Sequence, residues 1–148
     1  MALELHTSID IDAPPERVWE VLTDFHHYPE WNGFLRWIRG RPALGENLTM
    51  YIASGRQRMR FKTRVLAAEP GRELRWIGHF LVPGLFDGDH KFMMEPLGDG
   101  GTRFTQDEEF HGILIPLLAR TLRTDAKRSF EQMNEALKAR AEAARAVA

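Results

Sequence analysis

The chain has 148 residues and no cysteine. Its length predicts one domain, residues 1–148, that can bury a stable hydrophobic core without disulfides or other cross-links. The absence of cysteine excludes disulfides, a thiolate nucleophile and a zinc–thiolate site. Lys and Arg total 20 against 21 Asp and Glu, a net charge of −1, which gives no overall attraction for nucleic acid or anionic membranes. We therefore expect a cytoplasmic protein that does not bind nucleic acid, with no signal peptide or transmembrane segment.

The N-terminal segment alternates between apolar and polar residues over Leu3–Ile11, which predicts a β-strand. Two short helices are expected next, over Pro15–Thr23 and Phe25–Trp31. The first begins with a proline pair that suits a first helical turn. The second follows Asp24, a residue type that commonly caps helices.

Strands dominate the stretch from Phe34 to His111. Pro70-Gly71 and the run Gly98–Gly101 are strong turn signals. The connections are too short for helical crossovers, so the sheet should be antiparallel. We place the strands at Phe34–Arg39, Leu48–Ala53, Met59–Glu69, Glu73–Leu81, Asp89–Pro96 and Thr102–Phe110.

The C-terminal segment, Pro116–Ala146, is predicted to be one amphipathic helix, with the Ala-rich end Ala139–Ala148 fraying. Strands followed by one long helix indicate an α+β fold in which the sheet buries one face against that helix. A binding site is expected between the two. The apolar stripe of the helix consists of Leu118, Leu122, Ala126, Phe130, Met133 and Leu137.

Polar residues share the apolar face of two predicted strands. His90 alternates with Phe92 in one strand, and Gln106 and Glu108 alternate with Phe104 in the other. Polar groups placed inside a protein are costly unless they are paired or hydrated. They therefore either satisfy each other in a solid core or line a ligand cavity with an apolar wall.

A basic stripe recurs at every second position between residues 56 and 64, opposite an apolar face that includes Phe61. The simplest interpretation is a solvated sheet face, and an acidic protein or lipid headgroup is the alternative. Its members are Arg56, Arg58, Arg60, Lys62 and Arg64.

Signals for metal or cofactor chemistry are weak. His26 and His27 diverge on a helix, and no second cluster supports Asp87, Asp89 and His90 as metal ligands. The sequence has no Gly-rich phosphate loop and no nucleophile elbow. We predict no metal and no cofactor.

The chain resembles the START-related helix-grip superfamily, which includes the polyketide-cyclase/dehydrase-like ligand-binding proteins. The resemblance covers essentially the whole chain in order. One departure is Gly33, where relatives often have proline. The matching segments are Ile11–Trp19, Leu22–Asp24, Tyr28–Asn32, Gly45-Glu46, Pro70–Leu74 with Trp76, His90 with Phe92, Glu95–Arg103 and Glu108–Gly112.

This resemblance implies a curved antiparallel sheet of about seven strands gripping the C-terminal helix, two short helices after the first strand, and a deep apolar cavity. Trp31 and the loop Val82–Asp87 are then candidates for the cavity mouth. The residues expected to contact a ligand are Trp31, Trp76, His90, Phe92, Met94, Phe104, Gln106, Glu108, Leu118 and Leu122.

Three functions remain open. The favoured one is binding of a hydrophobic small molecule, such as a lipid, quinone or polyketide, without catalysis. The second is a cyclase or dehydratase, in which His90 and Glu108 would be the acid–base candidates. The third is a protein-interaction module that uses the basic stripe. The sequence does not decide the oligomeric state.

Overall fold

The computed structural model describes residues 2–147, with side chains described from residue 2 to residue 143. One antiparallel sheet holds seven strands in the order β1-β7-β6-β5-β4-β3-β2. Each predicted strand is present, with bounds that shift by one or two residues. The strands are β1 (Leu3–Ile11), β2 (Leu35–Arg39), β3 (Asn47–Ser54), β4 (Gln57–Glu69), β5 (Glu73–Phe80), β6 (Asp87–Pro96) and β7 (Thr102–His111).

The helices frame this sheet at two places. Helix α1 (Pro15–Thr23) and a 3-10 turn (Phe25–Glu30) follow β1, as predicted. The C-terminal helix consists of α2 (Ile115–Thr121), a π-helical turn (Leu122–Ala126) and α3 (Lys127–Val147). Within the described residues, no helix is long and apolar enough to cross a membrane. The predicted helix-grip architecture is confirmed.

The π-helical turn was not predicted, and the spacing of the apolar stripe accounts for it. Leu118, Leu122, Ala126 and Phe130 follow one another at four-residue steps. In a regular α-helix each such step drifts by about 40° around the axis. A wider turn absorbs the drift, so the stripe stays against the sheet.

The C-terminal helix stays packed further than expected. Phe130, Met133 and Ala141 are fully or almost fully buried, and the Nε atom of Arg17 donates to the Ala141 carbonyl over 3.4 Å. The expectation of fraying from residue 139 is therefore wrong up to Ala141, because α1 covers this end of the helix. The rest of that prediction, over residues 144–148, lies outside the described side chains.

The outer face of the sheet carries Arg60, Lys62 and Arg64 of the basic stripe, as predicted, whereas Arg56 lies in the turn before β4 and Arg58 bonds back to that turn. All five side chains of the stripe are exposed, while Phe61 and its neighbours on the opposite face are buried. The sequence did not reveal that Trp37 and Tyr51 stack on the same outer face, with ring centroids 6.0 Å apart. The guanidinium of Arg60 lies 5.6 Å from the Trp37 ring.

Candidate functional site

A cavity of about 260 Å³ lies between the concave face of the sheet and the first half of the C-terminal helix. It occupies the end of the groove where β3, β4 and the β5–β6 loop meet α2. Its wall is mostly apolar. The lining residues are Phe34, Ile52, Ser54, Gln57, Arg58, Met59, Phe61, Phe80, Phe86, Glu108, Phe110, Leu114, Leu118, Thr121, Leu122, Ala126 and Phe130.

The other half of the groove is solid. Trp76 packs edge-to-face on Phe92 at 5.2 Å, and Phe92 stacks on Phe104 at 5.9 Å. Met94 is also buried. The expectation that these four side chains line the cavity is therefore corrected: they face inward as predicted, but their own volume fills the space beneath α1 and the 3-10 turn.

Trp31 is also placed differently from the expectation. Its ring packs edge-to-face on Tyr28 at 5.0 Å, and it borders an outer cleft with Trp37 and Tyr51. The 3-10 turn ends just before Trp31 and directs it away from the groove. Trp31 therefore does not form the mouth of the cavity.

The mouth lies beside the β5–β6 loop and the β3–β4 hairpin. Phe86 comes from the predicted loop and lines the cavity. Leu81, at the start of the same loop, has a positive φ of 64° and is 70% exposed. Across the mouth, Arg58 is exposed and donates hydrogen bonds to the carbonyls of Gly55 and Gln57. Apolar and cationic groups thus share the rim.

One carboxyl group reaches the cavity wall, and a buried imidazole lies behind it. The Nδ1 atom of His90 is 3.0 Å from Oε1 of Glu108, and its Nε2 atom is 2.9 Å from Oε1 of Gln106. The three residues are 3%, 9% and 0% exposed. Among them only Glu108 lines the cavity, so the expected contact of His90 and Gln106 with the cavity is corrected to a supporting position.

The supporting network continues to the C-terminal helix and the first strand. Gln106 Nε2 donates to Asn134 Oδ1 at 2.8 Å, and Asn134 Nδ2 donates to Thr7 Oγ1 at 3.0 Å. Thr7 Oγ1 in turn donates to the backbone carbonyl of Gln106 at 3.0 Å. The backbone carbonyl of Gln106 can only accept, so Thr7 must donate to it and must accept from Asn134. This fixes the direction of each hydrogen bond in the network from Thr7 to Gln106.

The fixed directions determine which atoms of His90 carry hydrogen. Gln106 Nε2 also approaches the carbonyl of Phe130 at 3.4 Å, so Oε1 of Gln106 must face His90 as an acceptor. His90 Nε2 is therefore a donor. The contact between Nδ1 and Glu108 then shares a single proton, held either by the imidazole or by the carboxyl group. The pair can hold or move one proton at the cavity wall.

The sequence offered a signal for part of this network. Asn134 lies four residues after Phe130 and thus on the inner stripe of the helix, where a polar side chain needs partners. The lining residues Met59 and Phe61 could also have been found, because they alternate with the exposed basic stripe. Nothing in the sequence showed which half of the groove would stay open.

Residues 2–142 match the family model described as polyketide cyclase / dehydrase and lipid transport. The chain belongs to this family. Among curated proteins, none matches its sequence significantly.

Solved structures show how widely the fold of this polyketide cyclase/dehydrase family member is shared. The Zhui aromatase/cyclase from Streptomyces sp. R1128 has a TM-score of 0.78 at 16% identity, covering 96% of this chain and 94% of that one. A START superfamily protein from Mycobacterium smegmatis has a TM-score of 0.73 at 21% identity, with coverages of 94% and 97%. A protein from Thermus thermophilus has a TM-score of 0.77 at 17% identity, with coverages of 96% and 99%. These similarities establish the fold alone.

Proposed function

We propose that this protein binds a hydrophobic small molecule in the cavity between the sheet and the C-terminal helix. The observation that carries the proposal is an apolar cavity with one buried carboxyl group in its wall, since small-molecule sites are typically apolar with a few placed polar groups. The proposal is supported by Glu108, Leu118 and Leu122, which line this cavity and which we propose contact the ligand. A cytoplasmic location and the absence of nucleic-acid binding remain predictions.

The size of the cavity restricts the ligand. Its volume of about 260 Å³ is just below the usual range of roughly 300–1,000 Å³ for ligand pockets. An engineered apolar cavity of about 150 Å³ holds one benzene molecule. We therefore expect a ligand part of one or two fused rings, or a short chain, inside the cavity. A larger lipid, quinone or polyketide would extend through the mouth.

The direct test fills the cavity from the helix. Leu122 is buried at the wall, so Leu122→Trp should abolish saturable binding of a fluorescent naphthalene or quinone analogue. Leu117 lies on the same helix but is 80% exposed, and Leu117→Trp is the matched control that should bind normally. Circular dichroism must show both variants folded. Equal binding by the two variants would show that the ligand lies elsewhere.

A second candidate function is a cyclase or dehydratase that uses the same cavity. The proton shared by His90 and Glu108 favours it, because a positioned carboxyl group can exchange a proton with a bound substrate. Glu108 would be the catalytic residue, and His90 would position it. Long incubation with a bound ligand separates the two functions: unchanged recovery supports a carrier, while cyclised or dehydrated product that His90→Ala and Glu108→Gln both suppress supports an enzyme.

A further inference from the structure

We propose that the cavity selects ligands that donate a hydrogen bond at their buried end, such as a phenol or an alcohol, and discriminates against carboxylates. This inference rests on the proposed function and specifies its ligand class. It follows from the position of Glu108 Oε2 and from the directions of the hydrogen bonds behind it.

The Oε2 atom is the free polar atom of the buried network. Oε1 is engaged by His90, whereas no hydrogen bond joins Oε2 to another described residue, and Glu108 forms part of the cavity wall. It lies over Gly88, where an added Cβ would approach it to 2.1 Å. The missing side chain of Gly88 thus leaves room for this oxygen beside the cavity. No wall residue donates a hydrogen bond to it, so the donor has to come from the cavity, as a ligand atom or as a water molecule that the ligand displaces.

Both placements of the shared proton make Oε2 an acceptor. If the imidazole holds the proton, Glu108 is a carboxylate and both of its oxygens accept. If Glu108 holds the proton, the proton lies on Oε1, because His90 Nδ1 then carries a lone pair that accepts a hydrogen bond. A proton on Oε2 would leave that lone pair facing a second lone pair on Oε1. While the pair carries this one proton, the cavity therefore presents an acceptor in either state.

An obligate acceptor in an apolar wall distinguishes ligands sharply. A ligand hydroxyl or N–H can bond to it, whereas an ether or ketone oxygen leaves two acceptors facing each other. A carboxylate likewise brings only acceptor oxygens to Oε2, and its charge loses its hydration in the apolar cavity. Unpaired buried polar groups penalise mismatched ligands more than extra apolar contacts reward them.

The test uses naphthalene probes of nearly equal shape, measured by isothermal titration calorimetry on the 148-residue protein. We expect 2-naphthol to bind at least tenfold more tightly than 2-methoxynaphthalene, with 2-naphthoate the weakest, since only 2-naphthol gives the buried acceptor a hydrogen-bond donor. Glu108→Met should remove the preference for 2-naphthol and keep the binding of 2-methoxynaphthalene. Glu108→Gln can still turn an oxygen toward the cavity and should keep a reduced preference for 2-naphthol. It also keeps the inference testable if the Met variant does not fold.

The outcomes separate this inference from the proposed function. Equal binding of 2-naphthol and 2-methoxynaphthalene, or tighter binding of 2-naphthoate, overturns the inference and leaves the hydrophobic cavity standing. A preference for 2-naphthol that persists in Glu108→Met also overturns it. Failure of every probe to bind overturns both.

Discussion

Asn134 on the C-terminal helix donates a hydrogen bond of 3.0 Å to the hydroxyl of Thr7 on the first strand. The contact joins the two ends of the chain inside the core, and both side chains are buried. Through Gln106 it also holds His90 in one orientation. The polar network therefore links the packing of the core to the cavity wall at Glu108.

Removing the amide of Asn134 should destabilise the fold. Asn134→Ala leaves Thr7 and Gln106 each short of a partner in a dry environment, and we expect a loss of about 1–3 kcal/mol in the free energy of unfolding. Urea denaturation measures this loss. Glu135→Ala, at the exposed neighbouring position, should change stability by less than about 0.5 kcal/mol. Similar losses in both variants would mean that the network does not stabilise the core.

Tyr28 should make the protein sensitive to alkali. Its hydroxyl is buried and donates to the carbonyl of Leu22, and burial, with the negative charge of Asp24 nearby, raises the pKa of the phenol far above its usual range. In the unfolded chain the phenol of Tyr28 ionises near pH ~10, whereas in the folded chain it stays protonated at that pH. The free energy of unfolding is therefore unaffected below that pH and falls as the pH rises above it.

The measurement compares unfolding free energies on both sides of this pH. Tyr28→Phe should lose about 0.5–1.5 kcal/mol at neutral pH, because the hydrogen bond is gone, and should show a flatter decline in alkali. Tyr51→Phe removes a half-buried tyrosine on the outer face and serves as the control. An alkaline decline unchanged by Tyr28→Phe would contradict the assignment.

The basic stripe should contribute little to stability. Lys62→Gln and Arg58→Gln should each change the free energy of unfolding by less than about 0.5 kcal/mol, because both side chains are exposed. Their effects on ligand binding should differ. Arg58 lines the cavity and Lys62 does not, so only Arg58→Gln should weaken binding. A loss caused by Lys62→Gln would point to a partner on the outer face.

Leu81 should lower the stability of the fold through its backbone conformation in the β5–β6 loop. Its φ of 64° is in the left-handed region, which costs a leucine roughly 1–2 kcal/mol and an asparagine less. Because the side chain is mostly exposed, Leu81→Asn should raise the free energy of unfolding by about 0.5–1 kcal/mol. Val82→Asn, at the exposed neighbour without positive φ, is the control and should give no gain.

Most of the fold could be predicted because its strands and its long helix each carry a clear period. The inward face of β6 and β7 was predicted correctly for the same reason. The π-helical turn escaped because four-residue spacing alone also fits a helix that twists slightly. The bounds of the loops shifted where pairing extended a strand by a residue or two.

The sequence predicted which face of the sheet bears the site, but not which half of the groove holds the cavity. Alternation brought Glu108 to the inner face, yet it could not show that Trp76, Phe92 and Phe104 fill their half of the groove. That outcome depends on how closely these three aromatic rings, which come from three neighbouring strands, pack against one another. The proton-sharing role of His90 likewise depends on Asn134, which is far away in the sequence.

The π-helical turn has a consequence for how the cavity opens. Its hydrogen bonds are of a rarer and less regular kind than those of α3, and it lies in the cavity wall, whereas α3 is clamped by α1 and the polar network. Amide hydrogens of residues 122–126 should therefore exchange with deuterium sooner than those of residues 130–141. A bound ligand should slow the first group and leave the second unchanged. Access to the interior would then depend on brief local opening of one helical turn, while α3 stays packed against the sheet.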